Sequence, residues 1–458
     1  MKPCFLRRKM KFLYVFTIGC QMNTYDSDLF YRLLAPMGYV PADSPETADL
    51  VIANTCAIRA KAEDKAFSFI GRLQTIKAQR PDFHIGMAGC VAQQEGAKIL
   101  ARAPYVDFIL GTHAIWRLPE IVETVVREGR RVVDVDMNEA LPEARELTER
   151  PASGVSDFVT IMRGCDNFCT YCVVPYVRGR EMSRPPEAIV EEVRRKVAAG
   201  VREITLLGQN VNSYGQKEGL PDFPELLRRV ADVEGLLRLR FATSHPKDLS
   251  DDLIRAFSEI PQLCHHLHLP VQSGSTAVLA RMNRKYSREH YLERIARLRE
   301  VCPDIHLGTD IIVGFPGETP KDFEETLSLV ETIRYDGVFA FAYSDRPNAK
   351  AAGFSDKVPE KEKRSRLATL LELQNGITRE KNEACVGRVT DVLVEGKNPR
   401  RMEGLGDTAG GDRFTGRTQG NRVVHVLPAK GREISVGLCV EVRIDRALGH
   451  SLLATQVA

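Results

Sequence analysis

Apolar and polar positions alternate in blocks over the first third of the chain. Short apolar runs predict strands at residues 12–17, 48–56, 84–90 and 108–112. The longer mixed stretches between them predict helices at residues 26–37, 59–79 and 117–128, with Asp26 as the cap of the first. Strands that alternate with helices over short connections are typical of a parallel, doubly wound α/β sheet.

The middle of the chain continues this alternation. Strands are predicted at residues 156–162, 203–208, 237–243, 265–269, 306–314 and 337–343, with helical segments between them. Six βα units predict a parallel, barrel-like sheet, whose active site would lie at the C-terminal ends of the strands. Polar motifs follow five of these strands, at residues 208–210, 243–246, 270–274, 314–318 and 343–346. Any one of these motifs could be an ordinary turn, since Gly, Pro, Asn and Ser are the usual turn residues. Five of them at the C-terminal ends of the strands, which we call the rim of the barrel, favour a cofactor pocket.

The last part of the chain predicts a charged helix and then short strands. The helix covers residues 359–384, and the strands fall at residues 390–396, 422–427, 438–443 and 452–457. Strands with this alternation predict a small antiparallel β-barrel. The loop after the first strand contains Arg400, Arg401, Arg413, Phe414 and Arg417. These residue types suit phosphate contacts and base stacking, and a solvated charged face is the alternative.

Composition and charge narrow the class of protein. The 458 residues are 43% hydrophobic and 27% charged, which is typical of a soluble protein with two or three domains. The whole net charge of +3 resides in residues 378–458. No apolar run reaches the ~18 residues of a membrane span, so no membrane association is expected. Eleven cysteines without a secretion signal indicate metal or reactive thiols in a cytoplasmic protein.

Three cysteines lie close together after the first strand of the middle part. Cys165, Cys169 and Cys172 have the spacing C-x₃-C-x₂-C. Structural zinc and ferredoxin-like clusters normally take four protein ligands, and no fourth Cys or His lies nearby. Three ligands to a four-iron cluster would leave one iron open for a substrate or cofactor. A structural zinc loop or buried thiols are the alternative.

A second set of cysteines comes from the first part of the chain. Cys20, Cys56 and Cys90 each follow the C-terminal end of a predicted strand. Ligands bind at that edge of an open parallel sheet, so the three thiols are predicted to share a metal site. Inert structural thiols are the alternative.

These motifs, taken in order, resemble the methylthiotransferase family of radical S-adenosylmethionine (SAM) enzymes, and within it the branch that modifies isopentenyladenosine in tRNA. The resemblance begins at about Lys11 and covers the rest of the chain. It rests on residues 19–27, 54–59, 89–93, 163–172, 206–211, 269–274 and 343–348. Residues 1–9, including Cys4, precede the family pattern, and we expect them to be dispensable. Residues 397–413 form a longer and more Gly-rich loop than the family pattern.

The resemblance implies a fold of three parts. They are a flavodoxin-like doubly wound N-terminal domain at residues 11–137, a radical SAM partial (βα)₆ barrel at 156–384 and a small C-terminal antiparallel β-barrel, the RNA-binding TRAM domain, at 378–458. Residues 138–155 would be a linker. The protein is expected to be a cytoplasmic monomer.

The resemblance also implies two 4Fe-4S clusters. Cys165, Cys169 and Cys172 would hold the cluster that cleaves SAM, and Cys20, Cys56 and Cys90 would hold an auxiliary cluster. Gln209 and Asn210 would contact the amino acid end of SAM. Its ribose and adenine would contact Ser244, Gln272 and Ile312.

The implied substrate is tRNA with isopentenyladenosine beside the anticodon. A methylthio group would be added at C2, and SAM would be both radical source and methyl donor. An electron donor and a sulfur donor are the other expected partners. The alternatives are a methylthiotransferase for threonylcarbamoyl-adenosine in tRNA, one for a ribosomal protein aspartate, and a non-catalytic iron–sulfur RNA-binding sensor.

Overall fold

The computed structural model describes residues 10–57, 60–137, 154–398 and 413–457. Its chain divides into two compact units. The first unit consists of Met1–Pro151, Arg163–Asp166 and Val173–Met182, and the second of Ala152–Met162, Asn167–Cys172 and Ser183–Ala458. The predictions for residues 1–9, for Arg400 and Arg401, and for most of the linker lie outside the described residues.

The first unit contains a six-stranded parallel sheet. Its strands are β1 (Lys11–Thr17), β2 (Tyr39–Pro41), β3 (Leu50–Thr55), β4 (His84–Gly89), β5 (Phe108–Leu110) and β6 (Val132–Asp134). The strand order is β2-β1-β3-β4-β5-β6. Its first five strands have the flavodoxin-like order, so the predicted doubly wound α/β fold is confirmed.

Helices cover both faces of this sheet. They are α1 (Gln21–Leu34), α2 (Ala60–Gln79), α3 (Cys90–Glu95), α4 (Lys98–Arg102), α5 (Leu118–Glu128) and the short α6 (Val174–Arg178). On one face, Phe30 of α1 and Val122 of α5 pack in a core with Ile52 of β3. On the other face, Phe16 of β1 stacks on Phe69 of α2 with ring centroids 3.8 Å apart.

Helix α1 begins five residues before the predicted cap, so the prediction for Asp26 was wrong. Cys20 and Asn23 form a capping box at the start of the helix. Asn23 Nδ2 also donates to Asn54 Oδ1 (3.0 Å) and to the Thr55 carbonyl (3.1 Å) at the end of β3. Asp26 is therefore buried inside the helix rather than placed at its end.

The second unit begins with the predicted partial barrel. Its strands are β7 (Ser156–Thr160), β8 (Met162–Arg163), β9 (Met182–Ser183), β10 (Glu203–Leu207), β11 (Arg238–Phe241), β12 (His266–His268), β13 (His306–Val313) and β14 (Gly337–Ala342), with β8 and β9 at its boundary with the first unit. Two parallel sheets, β11-β10-β7 and β12-β13-β14, are connected through the bridge between Leu239 and Leu263. The predicted parallel order is confirmed.

One face of these strands is covered by helices. They are α7 (Pro186–Ala198), α8 (Phe223–Ala231), α9 (Asp251–Glu259), α10 (Thr276–Arg281), α11 (Arg288–Val301), α12 (Pro320–Ile333) and α13 (Glu360–Glu383). Leu307 and Ile311 of β13 are buried with Leu298 of α11 and Leu329 of α12. None of the helices in the described ranges is long and apolar enough to cross a membrane.

The C-terminal strands close into a barrel. They are β15 (Val389–Lys397), β16 (Phe414–Arg417), β17 (Val423–Leu427), β18 (Cys439–Ala447) and β19 (Leu452–Gln456), in the order β15-β16-β17-β19-β18. All neighbouring pairs are antiparallel except β17 with β19. Strand β16 was predicted as loop. Because Phe414 lies in the barrel core, its ring cannot stack on a base, and that prediction was wrong.

Two buried arginines of β11 attach this barrel to the parallel strands. Arg238 donates to Asp391 Oδ2 (2.6 Å) and to the Arg417 carbonyl (2.5 Å). Arg240 donates to the carbonyls of Thr418 and Gln419, both at 2.8 Å. Since Arg238 is the first residue of β11, the barrel lies at the N-terminal ends of the strands, opposite the predicted cofactor rim.

Replacing Arg240 by Leu is expected to destabilise the second unit. Arg240 Nε lies 2.9 Å from Glu203 Oε2, and both side chains are 5% exposed. The substitution leaves a buried carboxylate without its cation, which typically costs about 3–5 kcal/mol. Urea unfolding measures the loss. The control is Arg255→Leu on α9. The ion pair of Arg255 with Asp252 is half exposed and contributes at most ~1 kcal/mol to stability. Equal losses in the two variants would contradict the cost assigned to the unpaired Glu203 carboxylate.

Candidate functional site

The structure brings Cys20, Cys56 and Cys90 together at the carboxyl edge of the first sheet. Cys20 precedes α1, Cys56 follows β3, and Cys90 is the first residue of α3. The strands before them, β1, β3 and β4, are neighbours in the sheet. Cys20 and Cys56 are hydrogen-bonded to each other. The predicted convergence of the three thiols is thus present in the geometry.

Two glycines allow this close approach. A Cβ at position 19 would lie 2.9 Å from the Cβ of Cys56 and 2.3 Å from Asn23 Oδ1. Gly89 has φ +89°, and a Cβ there would lie 2.4 Å from the Thr55 carbonyl oxygen. Any larger residue at either position would push the loops that carry the cysteines apart.

The thiols differ in their electrostatic surroundings. The hydrogen bond from Cys56 lowers the pKa of Cys20 to about 6, with burial acting against it and the Arg178 guanidinium adding to it. Burial raises the pKa of Cys90, and Arg178 opposes that rise. The thiolate is the form that binds metal, so Cys20 is prepared for ligation at neutral pH.

Arg178 is a buried cation beside these thiols that the sequence analysis missed. Its Nη2 donates to Asp26 Oδ2 at 2.7 Å, and the two side chains are 7% and 6% exposed. It is also hydrogen-bonded to Cys90. Burial alone would lower the pKa of Arg178, but Asp26, Cys90 and Cys20 raise it well above its ordinary value. The guanidinium is therefore a permanent positive charge in this site.

Residues after β5 hold the backbone around Arg178. Thr112 Oγ1 donates to the Val177 carbonyl (2.5 Å), and His113 Nε2 lies 2.9 Å from the Arg178 carbonyl oxygen. Thr112 and His113 follow β5 at the same carboxyl edge as the cysteines. Their position at the C-terminal end of a predicted strand was the one sequence signal that could have indicated this contact.

The C-x₃-C-x₂-C cysteines are divided between the two units. In the first unit, buried Cys165 donates its backbone N–H to the Gly179 carbonyl (3.2 Å). In the second unit, the backbone N–H of Cys172 donates to the Cys169 carbonyl (3.0 Å). Arg284, 4% exposed, donates from Nη1 to Cys169 Sγ (3.4 Å) and from Nη2 to the Pro270 carbonyl (2.7 Å). Arg284 was also missed, although it stands in the basic run at residues 281–285.

Buried polar atoms at the rim of the second unit lack partners. Among the described residues, Asn210 Oδ1, Ser244 Oγ and His245 Nε2 are buried without a hydrogen bond. Burial lowers the pKa of His245, which keeps its ring neutral. An unsatisfied buried polar atom costs about 1–3 kcal/mol, so such atoms call for a ligand that completes them. A small polar cofactor such as SAM fits this need.

Strained backbone marks the same rim. Thr243 has φ +70° and Gln272 has φ +74°, which is unusual for residues with a side chain. The backbone N–H of Gln272 donates to the Asp310 carbonyl (2.8 Å), and that of Ile312 to the Gln272 carbonyl (2.9 Å). Gln272 and Ile312 are thus fixed next to each other, and half-buried Gln209 follows β10. Strain of this kind concentrates at ligand sites.

Two of the five predicted rim motifs have structural roles. Glu318 is buried, accepts from the Gly314 N–H (2.8 Å) and pairs with Arg366 of α13 at 2.5 Å. Asp345 pairs with Lys357 at 2.5 Å. These carboxylates anchor the helix and loop that follow the last strand, so turn and packing chemistry explains them.

Comparison with known proteins places these sites in a family. Residues 159–330 match the Radical SAM superfamily, and residues 12–111 match the uncharacterized protein family UPF0004. The tRNA-2-methylthio-N(6)-dimethylallyladenosine synthase of Desulfosudis oleivorans is 56% identical over 97% of this chain and 96% of its own length. That of Geobacter sulfurreducens is 50% identical over 97% of both chains.

A solved structure has the same fold. It is the radical S-adenosylmethionine methyltransferase TsrM from Kitasatospora setae with cobalamin and a [4Fe-4S] cluster bound. The TM-score is 0.54 at 15% identity, over 88% of this chain and 82% of that one. At this identity the likeness concerns the fold alone.

The fold and the match define a radical SAM enzyme, with SAM and 4Fe-4S clusters as its cofactors. Identities of 50–56% over nearly the whole chain define the group within that superfamily. The chain belongs to the tRNA-2-methylthio-N(6)-dimethylallyladenosine synthase family.

The ion pair between Asp26 and Arg178 is expected to stabilise the first unit. Asp26→Asn and Arg178→Met each leave one buried charge without its partner, and each should lower the free energy of unfolding by about 3–5 kcal/mol. The double variant should lose less than the sum, because neither charge is then left alone. Urea unfolding of the metal-free protein gives this double-mutant cycle. As control, Arg127→Met removes an exposed pair with Glu123 and should cost at most ~0.5 kcal/mol. Additive losses would contradict the coupling.

Proposed function

We propose that this protein adds a methylthio group to C2 of N6-isopentenyladenosine beside the anticodon of tRNA, using SAM as radical source and methyl donor. The observation that carries this proposal is the extent of the similarity. It covers 97% of the chain at 56% identity, and so includes both cysteine sets and the C-terminal barrel. The electron donor, the sulfur donor, a cytoplasmic location and a monomeric state belong to the same proposal.

Each cysteine set has one role in this proposal. Cys165, Cys169 and Cys172 hold the SAM-cleaving 4Fe-4S cluster, and Cys20, Cys56 and Cys90 hold the auxiliary 4Fe-4S cluster. When bound, the first cluster supplies the electron that converts SAM into a radical source, and the second supplies the sulfur. The protein contributes position and electrostatics to this chemistry.

The cationic side chains near the thiols compensate negative charge. Three thiolates and their cluster form an anionic group, which is costly to bury without a counter-charge. Arg178 lies beside Cys20 and Cys90, and Arg284 donates to Cys169. Each guanidinium is buried and therefore poorly screened by water, and Arg178 acts to lower the pKa of both Cys20 and Cys90.

The rim residues bind and orient SAM. Gln209 and Asn210 contact its amino acid end, and Ser244, Gln272 and Ile312 contact its ribose and adenine. Asn210 Nδ2 already donates to Ser213 Oγ and Asp248 Oδ2, both at 2.8 Å, which fixes its amide. The Oδ1 of Asn210 can therefore accept a hydrogen bond from the cofactor, and the hydroxyl of Ser244 can donate one to it.

The target base must leave the RNA to reach this rim. Adenosines in the anticodon loop are single-stranded and can be splayed out, unlike bases in a duplex. C2–H of adenine is not acidic, so the protein needs no general base of its own for this step. What it must do is hold the base against the cofactor and exclude water.

Nucleoside mass analysis tests the proposed function directly. A strain that lacks this protein should accumulate isopentenyladenosine in its tRNA, and the gene should restore the 2-methylthio derivative. Accumulation of unmethylthiolated threonylcarbamoyl-adenosine instead would overturn the substrate assignment.

Substitutions should separate the two cysteine sets. Cys169→Ala is expected to abolish 5′-deoxyadenosine formation, because the SAM-cleaving cluster loses a ligand. Cys56→Ala is expected to bind about half the iron, to retain SAM cleavage and to lose sulfur insertion. Iron content, 5′-deoxyadenosine and methylthiolated nucleoside are measured on reconstituted protein.

Cys264→Ala is the matched control for these variants. Cys264 is buried like Cys56 but lies outside both sets, so its loss should cost about 1–2 kcal/mol of stability and leave the iron content unchanged. Full iron content and normal product in Cys56→Ala would remove the auxiliary cluster from this proposal.

The C-terminal barrel is expected to contact RNA phosphates through exposed cations. Arg388, Lys430 and Arg432 are exposed and make no ion pair within the part of the chain that the structure describes. Replacing all three by Ala should weaken tRNA binding and reduce its salt dependence, by about 0.7–0.9 in slope for each lost phosphate contact. Affinities over a KCl series measure this.

Point substitutions are preferable to a deletion here. Removing residues from Thr378 would cut α13 and take away the Asp391 partner of Arg238. The matched control replaces Arg194, Arg228 and Arg255 on helices α7, α8 and α9, which changes the net charge equally. An equal effect in both triple variants would contradict a binding role for the barrel.

A further inference from the structure

The face of β12, β13 and β14 that the helices leave uncovered carries an unusual set of side chains. Along β13, Leu307, Ile311 and Val313 are buried in the core under the helices. The alternate residues Asp310 and Ile312 are half-buried and lie on the opposite face of the strand. We call this opposite face of the three strands the inner face.

Strand register places Asp310 and Phe339 side by side on the inner face. Asp310 of β13 pairs with Phe339 of β14, and Ile312 pairs with Phe341. His268 of β12 pairs with Gly308, which in turn pairs with Gly337. Residues opposite each other in neighbouring strands share a face, so His268, Asp310 and Phe339 form one patch.

Phe339 is an exposed aromatic ring in the middle of a paired strand. Its side chain is 59% exposed, and its edge meets the ring of His268 with centroids 5.8 Å apart and an angle of 67°. One exposed aromatic is ordinary on an outer surface. On the concave face of a barrel-like sheet, an exposed ring is an apolar surface on which a planar ligand can stack.

Asp310 is held in place beside this ring. Its Oδ1 lies 3.3 Å from His268 Nε2, and the carboxylate is about a third exposed. Gly308 and Gly337 leave the surface around it without side chains: a Cβ at Gly308 would lie 2.9 Å from His268 Nδ1, and one at Gly337 would meet nothing within 4 Å. The patch therefore offers an open ring and a fixed hydrogen-bond acceptor.

The patch lies just below the rim assigned to SAM. Asp310 and Phe339 precede Ile312 and Phe341 by two residues, which corresponds to about 7 Å along a strand. A planar ring on Phe339 would be next to a cofactor that contacts Ile312.

We infer that this patch binds the base to be modified, an adenine whose N6 carries a neutral, apolar substituent. This inference rests on the proposed function. Phe339 stacks on the purine plane, and Asp310 accepts the N6–H. The carboxylate also disfavours an N6 substituent that carries its own negative charge, such as threonylcarbamoyl, because a bound base would cover Asp310 and the two like charges would then repel with little screening by water. His268 is a positioning residue that orients Asp310.

Binding of anticodon stem-loop RNAs tests the role of Phe339. Three RNAs are compared, with isopentenyladenosine, unmodified adenosine or threonylcarbamoyl-adenosine at the target position, on reconstituted full-length enzyme with SAM. Phe339→Ala should raise the Kd and KM for the isopentenyl RNA about 5- to 150-fold, the range of a lost base–aromatic stack. Phe339→Tyr keeps the ring and should restore binding.

Asp310→Asn tests the charge. It keeps an acceptor for N6–H but removes the negative charge, so it should narrow the preference for the isopentenyl RNA over the threonylcarbamoyl RNA at least tenfold. Iron content and thermal unfolding identify any variant that has lost its fold. Leu371→Ala, an exposed apolar residue of α13 on the outer side, is the matched control and should change none of these values.

The outcomes separate this inference from the function on which it rests. If the wild-type enzyme makes no methylthiolated product from the isopentenyl RNA, the proposed function fails. If it makes product but Phe339→Ala retains wild-type KM, the patch is only a polar lining and the inference is overturned. A Phe339→Tyr variant that binds the isopentenyl RNA as weakly as Phe339→Ala also overturns it, since a ring that stacks on the base would restore binding.

Discussion

The buried ion pair between Asp26 and Arg178 is the interaction on which the first cysteine site depends. Asp26 belongs to α1, which Cys20 caps, and Arg178 also contacts Cys90 at the start of α3. A buried pair of this kind contributes little net stability compared with apolar packing, but removing one partner is costly. Its effect is to fix one arrangement of the two helices and to place a positive charge beside Cys20 and Cys90.

Strands could be predicted from the sequence where a run of apolar residues marks them without help from distant contacts. Buried parallel strands such as β3 and β4 are almost continuously apolar, and the cysteines after them followed from the rule that ligands bind at the carboxyl edge. Strands β2 and β6 are three residues long and lie at the two edges of the sheet, where partial exposure removes the apolar run that marks the equally short but fully buried β5. Strand β16 was missed because its Gly416 and Arg417 are typical of a loop, whereas its partners β15 and β17 define it as a strand.

Contacts across long sequence separations explain the remaining errors. The start of α1 depends on the hydrogen bond from Asn23 to Asn54, which is 31 residues away in the sequence. The local sequence alone favours Asp26 as the cap, because it contains no sign of this contact. Arg178 and Arg284 were missed for the same reason: nothing in their local sequence indicates a thiol as partner. Of the predicted SAM contacts, Asn210 and Ser244 have the orphaned atoms expected of ligand-binding residues. Glu318 and Asp345, which belong to other motifs of the rim, are explained by ion pairs.

The separation between Asp26 and Arg178 also affects how the protein is made. They are 152 residues apart, so the ribosome completes the sheet of the first unit well before it adds the cation. At about 5–20 residues per second, Arg178 is added roughly 2–9 s after Asp134, the last residue of the sheet. During that interval α1 has a buried acid without a counter-charge, and the nascent chain can release it to water. Final closure of the first unit is thus timed by translation of the segment that also carries Cys165, Cys169 and Cys172.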